Sequence, residues 1–137
     1  MAKDIIHNAV KNALVKDGWI ITADPYKLKL GEVKAEVDLA AERPFAAEKD
    51  GVKIAVEVKS FLGPSLLYDF ERALGQYRLY CRLVEYLEPE RALYLAISHR
   101  VYAKFFTGST IQRITRDEKV AVLVVNLDTE EIAQWIK

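Results

Sequence analysis

The chain has 137 residues, of which 51% are hydrophobic and 29% are charged, a balance typical of a globular protein and not of a disordered chain. Lysine plus arginine and aspartate plus glutamate number 20 each, so the formal net charge is zero, which argues against nonspecific coating of nucleic acid but not against a nuclease. The single cysteine, Cys81, excludes an internal disulfide and a multi-thiolate zinc site.

The sequence predicts one intracellular, cytoplasmic domain over residues 1–137. It shows no apolar run near the roughly 20 residues of a membrane span, and the N-terminus has no signal-peptide architecture. Four prolines and six glycines mark turns, without a repeat or a linker. We therefore expect no membrane association.

The first predicted element is an amphipathic helix over residues 4–16. Apolar residues recur there at helical spacing, and they are Ile6, Ala9, Val10, Ala13 and Leu14. Asp4 suits the start of this helix, and Asp17-Gly18 suits its end.

A meander of antiparallel strands is predicted to follow. The strands are residues 19–22, 33–42 and 52–60, with turns at Arg43-Pro44 and Asp50-Gly51. In the second strand, alternation puts Val37, Leu39 and Ala41 on one face and Asp38 on the other.

The second half is predicted to alternate between helices and buried strands. We expect a long helix over 66–87, strands over 92–97 and 120–125, short helices over 100–106 and 110–116, and a closing helix over 130–136. Because a strand after a helical crossover usually lies parallel to its predecessor, the fold class is α/β, a mixed sheet flanked by helices.

The segment from Ile54 to Phe61 contains the candidate chemistry. Glu57 and Lys59 are two residues apart on a strand, so both leave the same face, within an otherwise apolar run. Asp38 on the neighbouring strand offers a second carboxylate, and paired carboxylates suit Mg²⁺ or Mn²⁺. This set fits metal-assisted phosphodiester hydrolysis. The alternative is a salt bridge between Glu57 and Lys59 on an exposed face of the sheet.

The long helix adds Gln76 and Tyr80, which are four residues apart and therefore share a face. Either they cover the site, or Tyr80 is a partly buried aromatic residue.

The order Asp38, Glu57-x-Lys59, Gln76-x-x-x-Tyr80 resembles the PD-(D/E)xK nuclease superfamily, in particular its RecB-like branch. The resemblance implies a restriction-endonuclease-like fold in which Asp38 and Glu57 ligate Mg²⁺ or Mn²⁺, with the Val58 carbonyl as a third ligand. Lys59 would assist the attacking water and Gln76 would orient the site, with Tyr80 supporting it.

Nearly the whole chain is similar to the XisH family, the fdxN element excision controlling factors of cyanobacteria. The matching phrases include Lys16-Asp17-Gly18-Trp19, Val37-Asp38-Leu39-Ala40-Ala41-Glu42 and Ala73-Leu74-Gly75-Gln76-Tyr77. This resemblance implies control of a site-specific DNA excision, with DNA and a XisI-type protein as partners. The alternative is a catalytically weak or inactive nuclease-fold module that regulates through that partner. A homodimer is an expectation by analogy.

The chain departs from the superfamily pattern in two places. Val37 stands where the superfamily's name has proline, and the first helix offers Asp4, His7 and Asn8 but no glutamate. His7 either approaches the site or lies at the helix edge near Trp19, and we favour the second interpretation.

Two groups of basic residues are also open to interpretation. His99-Arg100 follows a buried strand and either meets phosphate or belongs to a polar loop. Arg72, Arg78 and Arg82 are interpreted as a solvated helix face.

Overall fold

The computed structural model describes residues 2–44 and 51–137. Its helices are α1 (Ala2–Lys16), α2 (Leu66–Leu87), α3 (His99–Val101), continued by a π-helical turn (Tyr102–Phe106), and α4 (Ser109–Asp117). Its strands are β1 (Ile20–Ala23), β2 (Tyr26–Leu30), β3 (Val33–Val37), β4 (Leu39–Arg43), β5 (Val52–Val58), β6 (Arg91–Ser98), β7 (Val122–Asn126) and β8 (Glu131–Ile136). None of the described helices has the length and apolar character needed to cross a membrane.

The described strands form a six-stranded sheet in the order β1-β4-β5-β6-β7-β8 and a two-stranded sheet of β2 and β3. In the larger sheet, β5, β6 and β7 are parallel, whereas the flanking pairs are antiparallel. The predicted mixed sheet flanked by helices is therefore confirmed. The apolar runs of β6 and β7 are buried on both faces of the sheet, with the α1-side core on one face and the α2-side core on the other.

Alternation along β5 sends successive side chains to the two faces of the sheet. Ile54 and Val56 pack in the core on the α1 side with Leu14, whereas Ala55 packs in the core on the α2 side with Phe70. Glu57 has the same parity as Ala55, and its side chain therefore leaves the sheet towards α2.

The predicted strand over 33–42 is two strands in the structure, separated at Asp38. Before this residue, β3 pairs with β2, an element that the prediction missed. After it, β4 joins the larger sheet between β1 and β5. The prediction that Val37, Leu39 and Ala41 share one face is therefore wrong, because Val37 packs in the core on the α2 side, whereas Leu39 and Ala41 pack in the core on the α1 side.

The prediction of a closing helix over 130–136 is wrong. Residues Glu131–Ile136 form β8, which pairs antiparallel with β7. A six-residue run with apolar residues at Ile132, Trp135 and Ile136 fits helical spacing, but the free backbone groups of β7 offer a better partner. Trp135 then packs edge-on against Tyr94, with ring centroids 4.9 Å apart.

The remaining predictions are close to the structure. The long helix spans the predicted residues, and the first helix, the strand at 92–97 and the short helices shift by a few residues at their ends. The turn predicted at Asp50-Gly51 begins outside the described residues.

A buried arginine joins α2 to the start of the central strands. The Arg91 side chain is 5% exposed, and its guanidinium donates to the Ile54 carbonyl at 2.9 Å and to the two Glu88 carboxylate oxygens at 3.2 Å each. It also lies 5.0 Å from the centroid of the Tyr26 ring. Because Tyr26 is the first residue of β2 and pairs with Val37, this contact holds the open end of the hairpin β2–β3 to the main sheet.

We expect Arg91→Met to lower the free energy of unfolding by about 3 kcal/mol, because it leaves a carboxylate and a carbonyl without their donor. Urea denaturation measures this change. The matched control is Arg113→Met, at an arginine whose side chain is 77% exposed, where the change should stay within about 0.5 kcal/mol. Equal effects in the two variants would contradict the role given to Arg91.

Candidate functional site

Asp38 and Glu57 are held side by side by reciprocal hydrogen bonds to the main chain. The Val58 N–H donates to Asp38 Oδ2 at 2.8 Å, and the Asp38 N–H donates to Glu57 Oε1 at 3.2 Å. Asp38 occupies the break between β3 and β4, where its N–H is available for this bond. The structure therefore brings together the two carboxylates that the sequence placed on neighbouring strands.

Glu57 is buried, and the pKa of its carboxyl group is raised. It is 7% exposed, and burial, followed by the nearby Asp38 carboxylate, raises the pKa of Glu57 to about 7. The Lys59 ammonium lies 3.4 Å from Glu57 Oε2 and acts in the opposite direction. The ion pair of the alternative interpretation is therefore present, but the sheet face that carries it is buried and not exposed.

Lys59 lies just past the end of β5, at the point where two cavities meet. Its N–H donates to the Ala96 carbonyl at 3.0 Å, which continues the pairing with β6. A cavity of about 410 Å³ is lined by Asp4, His7, Asp38 and Lys59. A larger one of about 590 Å³ is lined by Lys59 together with residues of α2. The side chain is 31% exposed, so its ammonium can meet a solute.

Phe61 turns the chain away from the sheet after Lys59. Its φ of 52° lies in the left-handed region, which is strained for an aromatic residue. The ring is buried, with its centroid 5.4 Å from that of Phe106. The aromatic contact with the π-helical turn thus holds the bend that leaves Lys59 at the cavity wall.

Gln76 and Tyr80 reach the site from α2. Gln76 Nε2 donates to the Tyr80 hydroxyl at 2.9 Å, and Gln76 lines the larger cavity with Lys59. Burial, and then the Glu57 carboxylate, raise the pKa of Tyr80. Tyr80 therefore lies near the Glu57 carboxylate, and Gln76 connects it to the cavity that Lys59 lines.

The first helix contributes more to the site than we expected. His7 Nδ1 lies 4.0 Å from Asp38 Oδ1, and His7 Nε2 contacts Asp24 Oδ1 at 2.9 Å. The interpretation of His7 as a residue of the helix edge near Trp19 is therefore wrong. Asp4, one turn earlier, lines the same cavity as His7.

Sequence reasoning missed Asp24 and Lys11. Lys11 Nζ donates to Asp24 Oδ2 at 2.8 Å, and this bond is the first cause of the lowered pKa of Asp24. The i, i+3, i+7 spacing of Asp4, His7 and Lys11 puts them on one face of α1 and was a readable signal. Nothing in the sequence near Asp24 indicated that β1 ends beside that face.

The other basic residues lie in different settings. Arg100 Nη2 donates to Asp128 Oδ1 at 2.9 Å, and His99 Nε2 lies 3.8 Å from Asp128 Oδ2, which favours the polar-loop interpretation. Arg78 donates to the Glu118 carbonyl at 3.2 Å. Arg72 differs from these residues, because it lines the larger cavity.

The carboxylate pair has the chemistry of a divalent-cation site. In the parts of the chain that the structure describes, no group of three or more His, Cys, Asp or Glu side chains is placed to hold a metal ion. Mg²⁺ is commonly held by one or two carboxylates, with water and substrate phosphate completing its shell. Burial first and repulsion from Asp38 second raise the pKa of Glu57, and a bound cation would relieve that repulsion, so Asp38 and Glu57 could hold one.

Comparison with known proteins identifies the family. The model of the XisH family, described as XisH protein, matches residues 1–133. The chain belongs to the XisH family.

Solved structures agree with this assignment. A crystal structure of an XisH family protein from Nostoc punctiforme PCC 73102 is 41% identical, covers 98% of this chain and 100% of its own, and superposes with a TM-score of 0.89. An fdxN element excision controlling factor protein from Anabaena variabilis is 42% identical, with 98% and 99% covered and a TM-score of 0.89. Among curated proteins, none matches this chain.

Because the Glu57 carboxyl is buried, we expect it to make the stability of the protein depend on pH. Its pKa rises from 4.5 to about 7 on folding, so between these values the folded state binds more protons than the unfolded state. The free energy of unfolding therefore falls as pH rises through this window. Glu57→Gln lacks the titrating group, and its stability relative to the wild type should rise by about 1–3 kcal/mol between pH 4.5 and pH 8.

Urea denaturation at both pH values measures this difference, with the exposed Glu85→Gln as a control that should show almost none. A relative stability of Glu57→Gln that does not change with pH would contradict the burial of an ionising carboxyl.

Proposed function

We propose that this XisH family protein is a metal-dependent endonuclease of the PD-(D/E)xK type that hydrolyses phosphodiester bonds in DNA. The observation that carries the proposal is the buried Glu57 carboxyl, bonded to the Asp38 main chain, with the Lys59 ammonium 3.4 Å away. Asp38 and Lys59 line one cavity, and two carboxylates with a lysine are the groups that metal-assisted hydrolysis requires.

Each residue has a proposed role. Asp38 and Glu57, with the Val58 carbonyl, hold Mg²⁺ or Mn²⁺, which when bound polarises phosphoryl oxygens and lowers the pKa of water. Lys59 positions the attacking water and balances charge on the phosphate. Gln76 orients Lys59 or the phosphate, and Tyr80 supports Gln76 through their hydrogen bond.

The biological setting of the proposal comes from the relatives. The similar Anabaena variabilis protein is named an fdxN element excision controlling factor. We infer that this chain likewise controls or assists the site-specific excision of a DNA element in the cytoplasm of a cyanobacterium.

Titration calorimetry with Mg²⁺ and Mn²⁺ tests the metal site. The wild type should bind the cation, and Asp38→Ala should weaken binding by more than about tenfold. Asp128→Ala, which removes an exposed carboxylate that pairs with Arg100, should leave binding unchanged. Equal affinities in the wild type and Asp38→Ala would place the cation elsewhere.

A cleavage assay on DNA with Mg²⁺ or Mn²⁺ tests the catalytic roles. Glu57→Gln and Lys59→Met should each lower the cleavage rate by about 100-fold or more, with circular dichroism unchanged. Lys53→Met is the matched control, because Lys53 lies at the start of β5, away from Lys59, and pairs with Glu90, at 3.8 Å. If Lys59→Met cleaves DNA at the same rate as Lys53→Met, then Lys59 has no role in the mechanism.

A second function is a regulatory module that keeps this fold without cleaving DNA and acts through a XisI-type protein partner. The carboxylate oxygens Asp38 Oδ2 and Glu57 Oε1 already accept backbone hydrogen bonds, and Glu57 Oε2 faces Lys59. These bonds can serve to hold the break at Asp38 against the end of β5, without a role in chemistry. Co-expression with a XisI-type protein would support this function if a stable complex forms and no cation binds to it.

A further inference from the structure

A row of side chains runs along α2 from the site to the surface. Its members are Tyr68, Arg72, Gln76 and Tyr80, each four residues from the next. Four residues turn a helix by about 40° beyond one full turn, so the row winds around the helix. Tyr80 is buried, Gln76 is partly buried, and Arg72 and Tyr68 are exposed.

Neighbours in the row are in contact at both ends. Gln76 donates to the Tyr80 hydroxyl at 2.9 Å, and the Arg72 guanidinium carbon lies 5.9 Å from the centroid of the Tyr68 ring. The buried end faces Glu57, whose charge helps to raise the pKa of Tyr80. The row therefore consists of two contacting pairs, and Arg72 of the outer pair lines the same cavity as Gln76 of the inner pair.

The cavity beside the row is lined by cationic and amide side chains. Lys59, Arg72 and Gln76 line the cavity of about 590 Å³. Asp69 also lines it, but Asp69 Oδ2 accepts the Gly63 N–H at 2.9 Å and so holds the loop before α2. A guanidinium and an ammonium facing one cavity favour an anionic group with several oxygens, such as a phosphodiester.

We propose that this row is the path of an unpaired nucleic-acid strand, an inference that rests on the proposed nuclease function. Arg72 binds a backbone phosphate in the cavity next to Lys59, and Tyr68, which is 57% exposed, stacks on a base of the same strand. Stacking on an aromatic ring needs a base that is free of its duplex neighbours. The preferred substrate is therefore DNA with a single-stranded segment or end.

The far end of α2 supplies a matched pair of control residues. Arg82 and Tyr86 repeat the spacing of Arg72 and Tyr68, and Tyr86 is 64% exposed. Arg82, however, lies 3.1 Å from Glu85. The two pairs are separated by about 20 Å along the helix axis, so a strand at the site contacts only the first pair.

The experiment is fluorescence anisotropy of the full chain with a labelled single-stranded oligonucleotide and with the blunt duplex of the same sequence, with Ca²⁺ as the divalent cation. The wild type should bind the single strand about tenfold more tightly than the duplex. Arg72→Gln should weaken that binding about tenfold and reduce the slope of log affinity against log salt by about 0.7. Tyr68→Ala should weaken binding by a similar factor and leave the slope unchanged, whereas Arg82→Gln and Tyr86→Ala should stay within about twofold.

Several outcomes would overturn the inference. The first two are that the protein binds no oligonucleotide, or that it binds the duplex as tightly as the single strand. The third is that Arg72→Gln and Arg82→Gln have the same affinity for the single strand. The fourth is that the Arg72 and Tyr68 variants weaken only the binding of another protein. Failure of the proposed nuclease function gives a different result, namely that no cation binds and nothing is cleaved while the row variants still weaken strand binding.

Discussion

The reciprocal hydrogen bonds between Asp38 and the end of β5 are the constraint on which the site depends. They require Asp38 to leave the strand ladder, because its N–H serves the Glu57 carboxylate and not a neighbouring strand. The chain divides at this residue, with β3 before it in the small sheet and β4 after it in the large one. Two sheets and two carboxylates are thereby fixed by one break in a strand.

This arrangement has an electrostatic cost that the surrounding residues reduce. Burial and the proximity of Asp38 both disfavour the ionised form of Glu57, and Lys59 partly offsets them. On the other side of Asp38, His7 is held by Asp24, which also binds Lys11. Such a surrounding of charged groups is typical of functional sites, where unfavourable charge proximity is retained for the sake of chemistry.

The long helix α2 connects the site to the rest of the molecule. Its inner face completes the core on one side of the sheet, Tyr80 lies near the Glu57 carboxylate, and Gln76 lines the cavity beside Lys59. Just past its end, Glu88 anchors the buried Arg91 at the opposite end of the central strands. Because the helix is fixed at both of these places, Arg72 and Gln76 keep their positions at the cavity beside Lys59.

The sequence by itself determined the long helix, the buried strands β6 and β7, and the presence of charged Glu57 and Lys59 in an apolar strand. These features rest on periodicity, capping residues and charges within apolar runs, which are local properties. The tertiary structure alone decided that residues 131–136 form an edge strand, that the strand at 33–42 breaks at Asp38, and that His7 meets Asp24 beside the site. Short strands and such contacts depend on backbone partners and side chains that are distant in the chain, and no local pattern encodes them.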